Sequence, residues 1–132
     1  MSEEPRYRGF RLDELQVTLI NWPEWCTHHI QTRRDRYPDD PEELNIEPEW
    51  ATEAALDPHG KLSLTRENDL RVTGWTPNAP AATWSERQGR VLRVVLKPIE
   101  ITEGYWSGFT AAPASQKAAE WYWRKRASFG PA

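Results

Sequence analysis

Residues 90–97 (RVLRVVLK) carry the strongest β-strand pattern in the sequence, and this stretch constrains the fold more than any other. Its density of β-branched and apolar side chains favours an extended strand. A period of two also runs through residues 61–65 and 70–75, and aromatic content marks residues 105–110 (YWSGFT) as a further strand. The sequence therefore predicts an antiparallel sheet of three or four strands, in which Pro98 ends the strand that begins at residue 90.

Three helices are predicted beside this sheet. The first should span residues 23–36 and end before Tyr37-Pro38, because a residue that precedes proline avoids the α region. The second is predicted over residues 46–57, and the third begins at residue 113 or 115 and ends near residue 127 with a cationic last turn. Two helices before the strands and one after them predict an α+β fold in which the sheet is covered on one face.

A length of 132 residues fits a single domain, residues 1–132. We expect its core to span about residues 22–127, with flexible ends at residues 1–15 and 128–132. A weak alternation of Leu15, Val17 and Leu19 against polar residues indicates a short strand before the first helix. Four of the 8 tryptophans fall on helix faces predicted to point inward, namely Trp22, Trp25, Trp50 and Trp121.

Several classes of protein are excluded by what the sequence lacks. No apolar run approaches the roughly 18 residues of a membrane span, and the N-terminal residues lack the pattern of a secretory signal, so we expect a cytoplasmic protein. The single cysteine, Cys26, excludes an intrachain disulfide and fits a reducing compartment. There is no glycine-rich phosphate loop, nucleophile elbow or paired-cysteine motif, and we expect neither a cofactor nor a metal.

The net charge of −3 conceals an uneven distribution of charge along the chain. Acidic residues dominate up to Asp57, above all in the segment 39–53, and basic residues dominate after it. One interpretation is a dipolar molecule whose C-terminal half contacts a polyanion. The other is a solvated acidic loop beside an ordinary mixed surface, which charge alone favours. The acidic segment would either shield the active surface or recruit a partner.

Metal-independent RNA cleavage needs a proton acceptor, a proton donor and cations near the phosphate. His29 is a candidate acid or base because the pKa of histidine lies near neutrality. Arg33 follows it by one helical turn on the same face, and Arg71 adds a cation from a strand. The alternative for His29 is a histidine packed among tryptophans with both nitrogens hydrogen-bonded, which position alone favours.

Four further residues are candidates for RNA binding: Trp75, Lys117, Arg124 and Arg126. An exposed tryptophan near arginine can stack on a base. The same residue types favour the centres of protein interfaces. A protein partner is therefore the alternative, and the aromatic residues that would anchor it are Trp75, Trp84, Trp123 and Phe129.

Three segments in order, 25–33 (WCTHHIQTR), 49–58 (EWATEAALDP) and 70–74 (LRVTG), resemble the BrnT family. These are small toxins of bacterial type II toxin–antitoxin pairs with a RelE-like ribonuclease fold, and the similarity extends over residues 22–123. The resemblance implies an mRNA-cleaving toxin that is neutralised by an antitoxin, which also binds operator DNA. It matches the helix histidine of the family to His29 and its strand arginine to Arg71.

The first hypothesis is thus a BrnT-like, metal-independent RNA endonuclease with His29 as acid or base and Arg33 and Arg71 on the phosphate. The second is a non-catalytic protein-interaction module that retains the toxin fold. Two departures from the family favour the second hypothesis: residues 110–113 (TAAP) lack its arginine near Ala112, and the sequence pI is about 5.6.

Overall fold

The computed structural model describes residues 5–128, which form a mixed α+β fold as the sequence predicts. Turns of 3-10 helix at Leu12–Glu14 and Ile101–Glu103 join some of the elements. In chain order the elements are β1 (Arg6–Tyr7), β2 (Phe10–Arg11), β3 (Leu19–Asn21), α1 (Glu24–Gln31), α2 (Arg33–Arg36), α3 (Pro48–Ala55), β4 (Lys61–Leu64), β5 (Leu70–Thr76), β6 (Arg90–Glu100), β7 (Tyr105–Pro113) and α4 (Gln116–Ala127).

The main sheet has five strands in the order β3-β7-β6-β5-β4. Strands β4 to β7 pair antiparallel, as predicted, whereas β3, the short strand before the first helix, runs parallel to β7, a pairing that was not expected. Parallel pairing requires a long crossover, which here contains α1, α2, α3 and three strands. Strands β1 and β2 form a separate small hairpin.

One face of the sheet, which we call the inner face, packs against α1 and α3. Side chains alternate along β5 and β6, so that every second residue enters this core. The sheet residues buried there include Leu70, Val72, Leu92, Val94 and Leu96. Gly74 lies where α3 comes closest, since a Cβ at this position would stand 1.9 Å from the carbonyl oxygen of Ala54.

The opposite, outer face is covered at one end by α4. The Oγ of Ser115 accepts a hydrogen bond from the Ala118 N–H at 3.1 Å and caps this helix. Its residues Ala119 and Tyr122 are buried in a second apolar cluster with Val91. Helices therefore lie on both faces of the sheet, and the prediction of a single covered face is wrong.

Tyr122 connects the two layers of helices. Its buried hydroxyl donates a hydrogen bond to the carboxylate of Asp57, just after α3. The same carboxylate accepts hydrogen bonds from the backbone N–H groups of His59 at 2.8 Å and Trp75 at 2.9 Å. Burial, together with the hydrogen bond to Asp57, raises the pKa of the Tyr122 hydroxyl, which keeps its proton for this contact.

The first predicted helix is divided into two. Helix α1 ends at Gln31, and Thr32 leaves helical geometry with φ −119° and ψ 23°. The Thr32 hydroxyl donates to the carbonyl oxygen of His28 at 2.8 Å, a local bond that competes with helix continuation. The predicted end before Tyr37-Pro38 is confirmed, because α2 finishes at Arg36.

Two predictions about strand ends are wrong. The strand expected around Leu15 and Val17 forms only at Leu19–Asn21, since a 3-10 turn precedes it and Leu15 is buried in the core. Strand β6 continues through Pro98, which pairs with Trp106 next to a register shift. The irregular pairing accommodates the missing proline N–H.

The N-terminal segment belongs to the core as far as it is described. Tyr7 is 2% exposed and its ring centroid lies 5.6 Å from that of the fully buried Trp106. The core therefore begins well before residue 22. The expected flexibility of the chain ends, and the predicted partner contact of Phe129, fall partly or wholly on residues 1–4 and 129–132, outside the described residues.

The acidic segment is fixed to the body of the protein by two ion pairs. Arg33 donates to both carboxylate oxygens of Glu43, at 2.6 and 3.1 Å, and their side chains are only 13% and 6% exposed. The buried Arg90 pairs with Glu42 at 3.2 Å. Residues 42–44 are consequently part of the folded structure and not a solvated loop.

Candidate nucleic-acid interface

An open groove of about 360 Å³ lies on the outer face, between α4 and strands β4, β5 and β6. Four of its lining residues are cationic, three carry hydroxyl groups, and none is acidic. The complete lining is Ser63, Arg71, Thr73, Arg93, Ser115, Lys117, Ala118, Trp121 and Arg124. A concave surface of this composition suits a ligand that carries several negative charges.

Two arginines form the floor of the groove. Arg93 stands opposite Thr73 in the β5–β6 register, and Arg71 is two residues before Thr73 on the same face of the sheet. Arg71 donates through Nε to the hydroxyl of Ser63 at 3.0 Å, while Arg93 Nε is buried without a hydrogen-bond partner. Within residues 5–128 neither guanidinium has a carboxylate partner.

The electrostatics of this pair are unfavourable without a ligand. Burial, followed by repulsion from Arg93, lowers the pKa of Arg71, although the group stays protonated at neutral pH. An anion between the two guanidinium groups would remove the repulsion and give the Nε of Arg93 an acceptor.

Helix α4 forms the wall of the groove. It packs on the sheet through Ala119 and Tyr122, so Lys117, Trp121 and Arg124 project to the groove side. Trp121 is 39% exposed, and the prediction that it belongs to the core is wrong. The face of α4 that packs on the sheet consists of Ala119 and Tyr122.

The structure brings three of the predicted site residues together, namely Arg71, Lys117 and Arg124. It places Trp75 and Arg126 outside the groove, in an aromatic cluster at the other side of α4. The guanidinium of Arg126 lies 5.3 Å from the Trp75 ring and 5.2 Å from the Trp123 ring, and it donates to the Tyr122 hydroxyl at 3.3 Å. These contacts already occupy both residues, and Trp84 packs against the same cluster.

His29 and Arg33 lie apart from the groove, because α1 packs on the inner face. The His29 ring stacks on Trp25 with centroids 5.4 Å apart, and Trp25 is 69% exposed, contrary to its predicted core position. Arg33 is held by Glu43 and also donates to the Ala111 carbonyl oxygen at 3.1 Å. Neither residue lines the groove. The first hypothesis places His29 and Arg33 with Arg71 at one phosphate, but the structure puts them on the opposite face of the sheet from Arg71.

The environment of His29 favours the neutral imidazole. Partial burial, followed by the charges of Arg36 and Arg33, lowers the pKa of His29 below its ordinary value of 6.5. A neutral ring at pH 7 can accept a proton. Burial raises the pKa of the Cys26 thiol, which makes this cysteine a poor nucleophile.

Of the four cationic residues that line the groove, Arg93 is the one not predicted from the sequence. It interrupts the strongly apolar strand RVLRVVLK. Because charged residues are rarely buried without a partner, a charged residue at such a position could have indicated a functional site. On β7, which pairs with the other edge of β6, Ala112 is the residue opposite Arg93. Cross-strand neighbours have Cβ atoms roughly 5 Å apart, so Arg93 places a cation beside residue 112.

No family model, curated protein or solved structure matches the chain. In the described part of the chain, no group of three histidine, cysteine or acidic side chains is arranged to hold a metal ion. None of the helices between residues 5 and 128 has both the length and the apolar character that crossing a bilayer requires.

Proposed function

We propose that this protein is a BrnT-like toxin that binds RNA in the basic groove and cleaves it without a metal. The observation that carries the proposal is the pair Arg71 and Arg93, two adjacent guanidinium groups without a carboxylate partner among the described residues. In the cleavage step the 2′-oxygen forms a bond to phosphorus while the bond from phosphorus to the 5′-oxygen breaks. Because the groove lining holds no imidazole or carboxylate, the 2′-hydroxyl gives its proton to water and the leaving 5′-oxygen takes one from water. The attack places extra negative charge on the phosphorus oxygens. Two fixed guanidinium groups stabilise that charge more than the charge of the ground state.

The RelE-like arrangement is part of the same proposal. Three short helices, of which α1 and α2 replace the single first helix that was predicted, are followed by four antiparallel strands and the closing helix α4. This is the order of helices and strands that the resemblance implies. Arg93 supplies the cation that the TAAP segment lacks, because it neighbours Ala112 across the β6–β7 pair. The proposed phosphate site therefore keeps its positive charge although residue 112 is an alanine and not the arginine of the family.

The decisive experiment measures RNA binding and cleavage by the groove variants Arg71→Ala and Arg93→Ala, with EDTA present throughout. Each is expected to weaken binding of a labelled single-stranded RNA about tenfold or more, because each removes a charge-assisted contact to phosphate. The slope of log Kd against log salt concentration should also fall by about 0.7 per lost cation.

Arg66→Ala provides the matched control, since Arg66 is exposed in the turn between β4 and β5 and does not line the groove. It removes the same charge from the molecule and should leave affinity almost unchanged. If Arg66→Ala lost as much RNA affinity as the groove variants, the loss would be due to net charge alone, and the proposed site would be refuted.

The proton-transfer role predicted for His29 does not fit RNA bound in the groove, because His29 lies on the inner face of the sheet and a general base must be within hydrogen-bond reach of the proton it takes. His29→Ala is therefore expected to leave RNA affinity, RNA cleavage and growth inhibition within about twofold of the parent protein, because surface substitutions away from a site cost within about 0.5 kcal/mol. Loss of cleavage in a His29→Ala variant that still folds and binds RNA would place the reaction at His29 and not in the groove.

The second candidate function is a non-catalytic module with the same fold. It is favoured by the absence of an imidazole or carboxylate from the groove lining. Tight RNA binding without cleavage, in both the parent protein and His29→Ala, would support this function. For the toxin we expect a neighbouring gene that encodes an antitoxin, and co-expression of that antitoxin should suppress RNA cleavage.

A further inference from the structure

An exposed aromatic ring lies on the outer face beyond the groove. Phe109 is 40% exposed and sits at a register shift, where Val95 pairs with Thr110 but Leu96 pairs with Gly108. The extra residue of this bulge has no partner across the strand pair, and its side chain turns to the outer face. The bulge therefore places an aromatic ring on the outer face.

The Phe109 ring is held in place by an ion pair. Lys97 Nζ lies 4.7 Å from the ring centroid, and it donates to both carboxylate oxygens of Asp69 at 2.8 Å. Asp69 neutralises the lysine, so Lys97 supports the ring and is not a free cation for phosphate. The contact with Lys97 thus positions the ring on the outer face.

Trp121 is the second exposed ring near the arginine pair. It projects from α4 into the groove, whereas Phe109 belongs to β7. Neighbouring strands lie about 4.8 Å apart, so β7 is roughly 10 Å from β5, which carries Arg71. Two exposed rings therefore share the outer face of the sheet with the two guanidinium groups.

Resting on the proposed function, we propose that the ligand is single-stranded, with unpaired bases stacked on Trp121 and Phe109 and the intervening backbone on Arg71 and Arg93. Aromatic side chains on an open sheet face accept bases by stacking, and this requires bases that are not already paired. Duplex RNA presents its phosphates but hides its base faces, so it can use only the cations.

The test compares three probes of equal length by fluorescence anisotropy at fixed salt: a single-stranded RNA, its blunt duplex, and a strand of abasic nucleotides. Phe109→Leu and Trp121→Leu remove a ring and keep apolar volume. Each is expected to weaken binding of the single-stranded RNA about tenfold and to leave binding of the abasic strand unchanged. The parent protein should bind the single strand more tightly than either other probe.

Tyr37→Leu is the matched control, because Tyr37 is an exposed aromatic residue outside the groove, in contact with Arg33. It should not alter binding of any probe. Equal affinity of the parent protein for the abasic and base-containing strands, or for duplex and single strand, would overturn the stacking inference. If Arg71→Ala still weakened binding in that case, the groove would remain the RNA-binding site. If the parent protein bound no RNA at all, the proposed function itself would be refuted.

Discussion

Arg33→Ala is expected to lower the free energy of unfolding by about 3–5 kcal/mol. The substitution leaves the carboxylate of Glu43, which is only 6% exposed, without its guanidinium partner, and the carbonyl oxygen of Ala111 loses a donor. The measurement is urea unfolding followed by circular dichroism. Arg34→Ala is the control, because Arg34 is exposed next to Arg33 and should change stability by less than about 0.5 kcal/mol.

A double variant separates the ion pair from other roles of Arg33. Arg33→Met with Glu43→Leu removes both charges and fills the space with apolar groups, so it should recover most of the stability lost in Arg33→Ala. A loss below about 1 kcal/mol in Arg33→Ala would contradict the buried pair. If Arg33→Ala shows low RNase activity and the double variant recovers it, the loss was caused by unfolding. If the double variant is stably folded but inactive, Arg33 has a further role.

Gly74→Ala is expected to cost about 3 kcal/mol or more, at the upper end of the range for overpacked cores. The added Cβ would stand 1.9 Å from the oxygen and 2.8 Å from the carbon of the Ala54 carbonyl, so β5 and α3 must move apart. Neither the added Cβ nor the Ala54 carbonyl can be moved by rotating a side chain. The measurement is the urea midpoint at an unchanged m-value.

Gly9→Ala gives the matching control for the same chemical change. No atom lies within 4 Å of its added Cβ, and only its φ of +89° opposes alanine, at about 1–2 kcal/mol. If Gly74→Ala were no more destabilising than Gly9→Ala, the close approach of α3 to β5 would be incorrect.

Local signals in the sequence were sufficient for most of the elements. Strand β6 was evident from β-branched density, and the end of α2 from Tyr37-Pro38. What local signals miss depends on distant partners. Strand β3 is confined to Leu19–Asn21 because these are the residues that pair with β7, more than 80 residues away in the chain. Thr32 interrupts its helix where Arg33 turns to Glu43.

The candidate site was predictable to the same degree. Lys117 and Arg124 were chosen from a cationic helix and Arg71 from a strand, and these three residues do meet. Arg93 was missed because its place beside Thr73 follows from strand register, which composition does not reveal. Trp121 was placed in the core because helical periodicity gives the faces of a helix but not which face the sheet covers.

The hydrogen bond from Tyr122 to Asp57 ties the groove wall to the end of α3, so α4 cannot swing away from the sheet without breaking it. This contact therefore opposes widening of the groove before a ligand arrives. Association then costs less conformational entropy than it would with a loosely held helix, and its heat-capacity change should reflect mainly the surface removed from water. A groove held in this way favours ligands whose thickness matches its width over bulkier polyanions of equal charge.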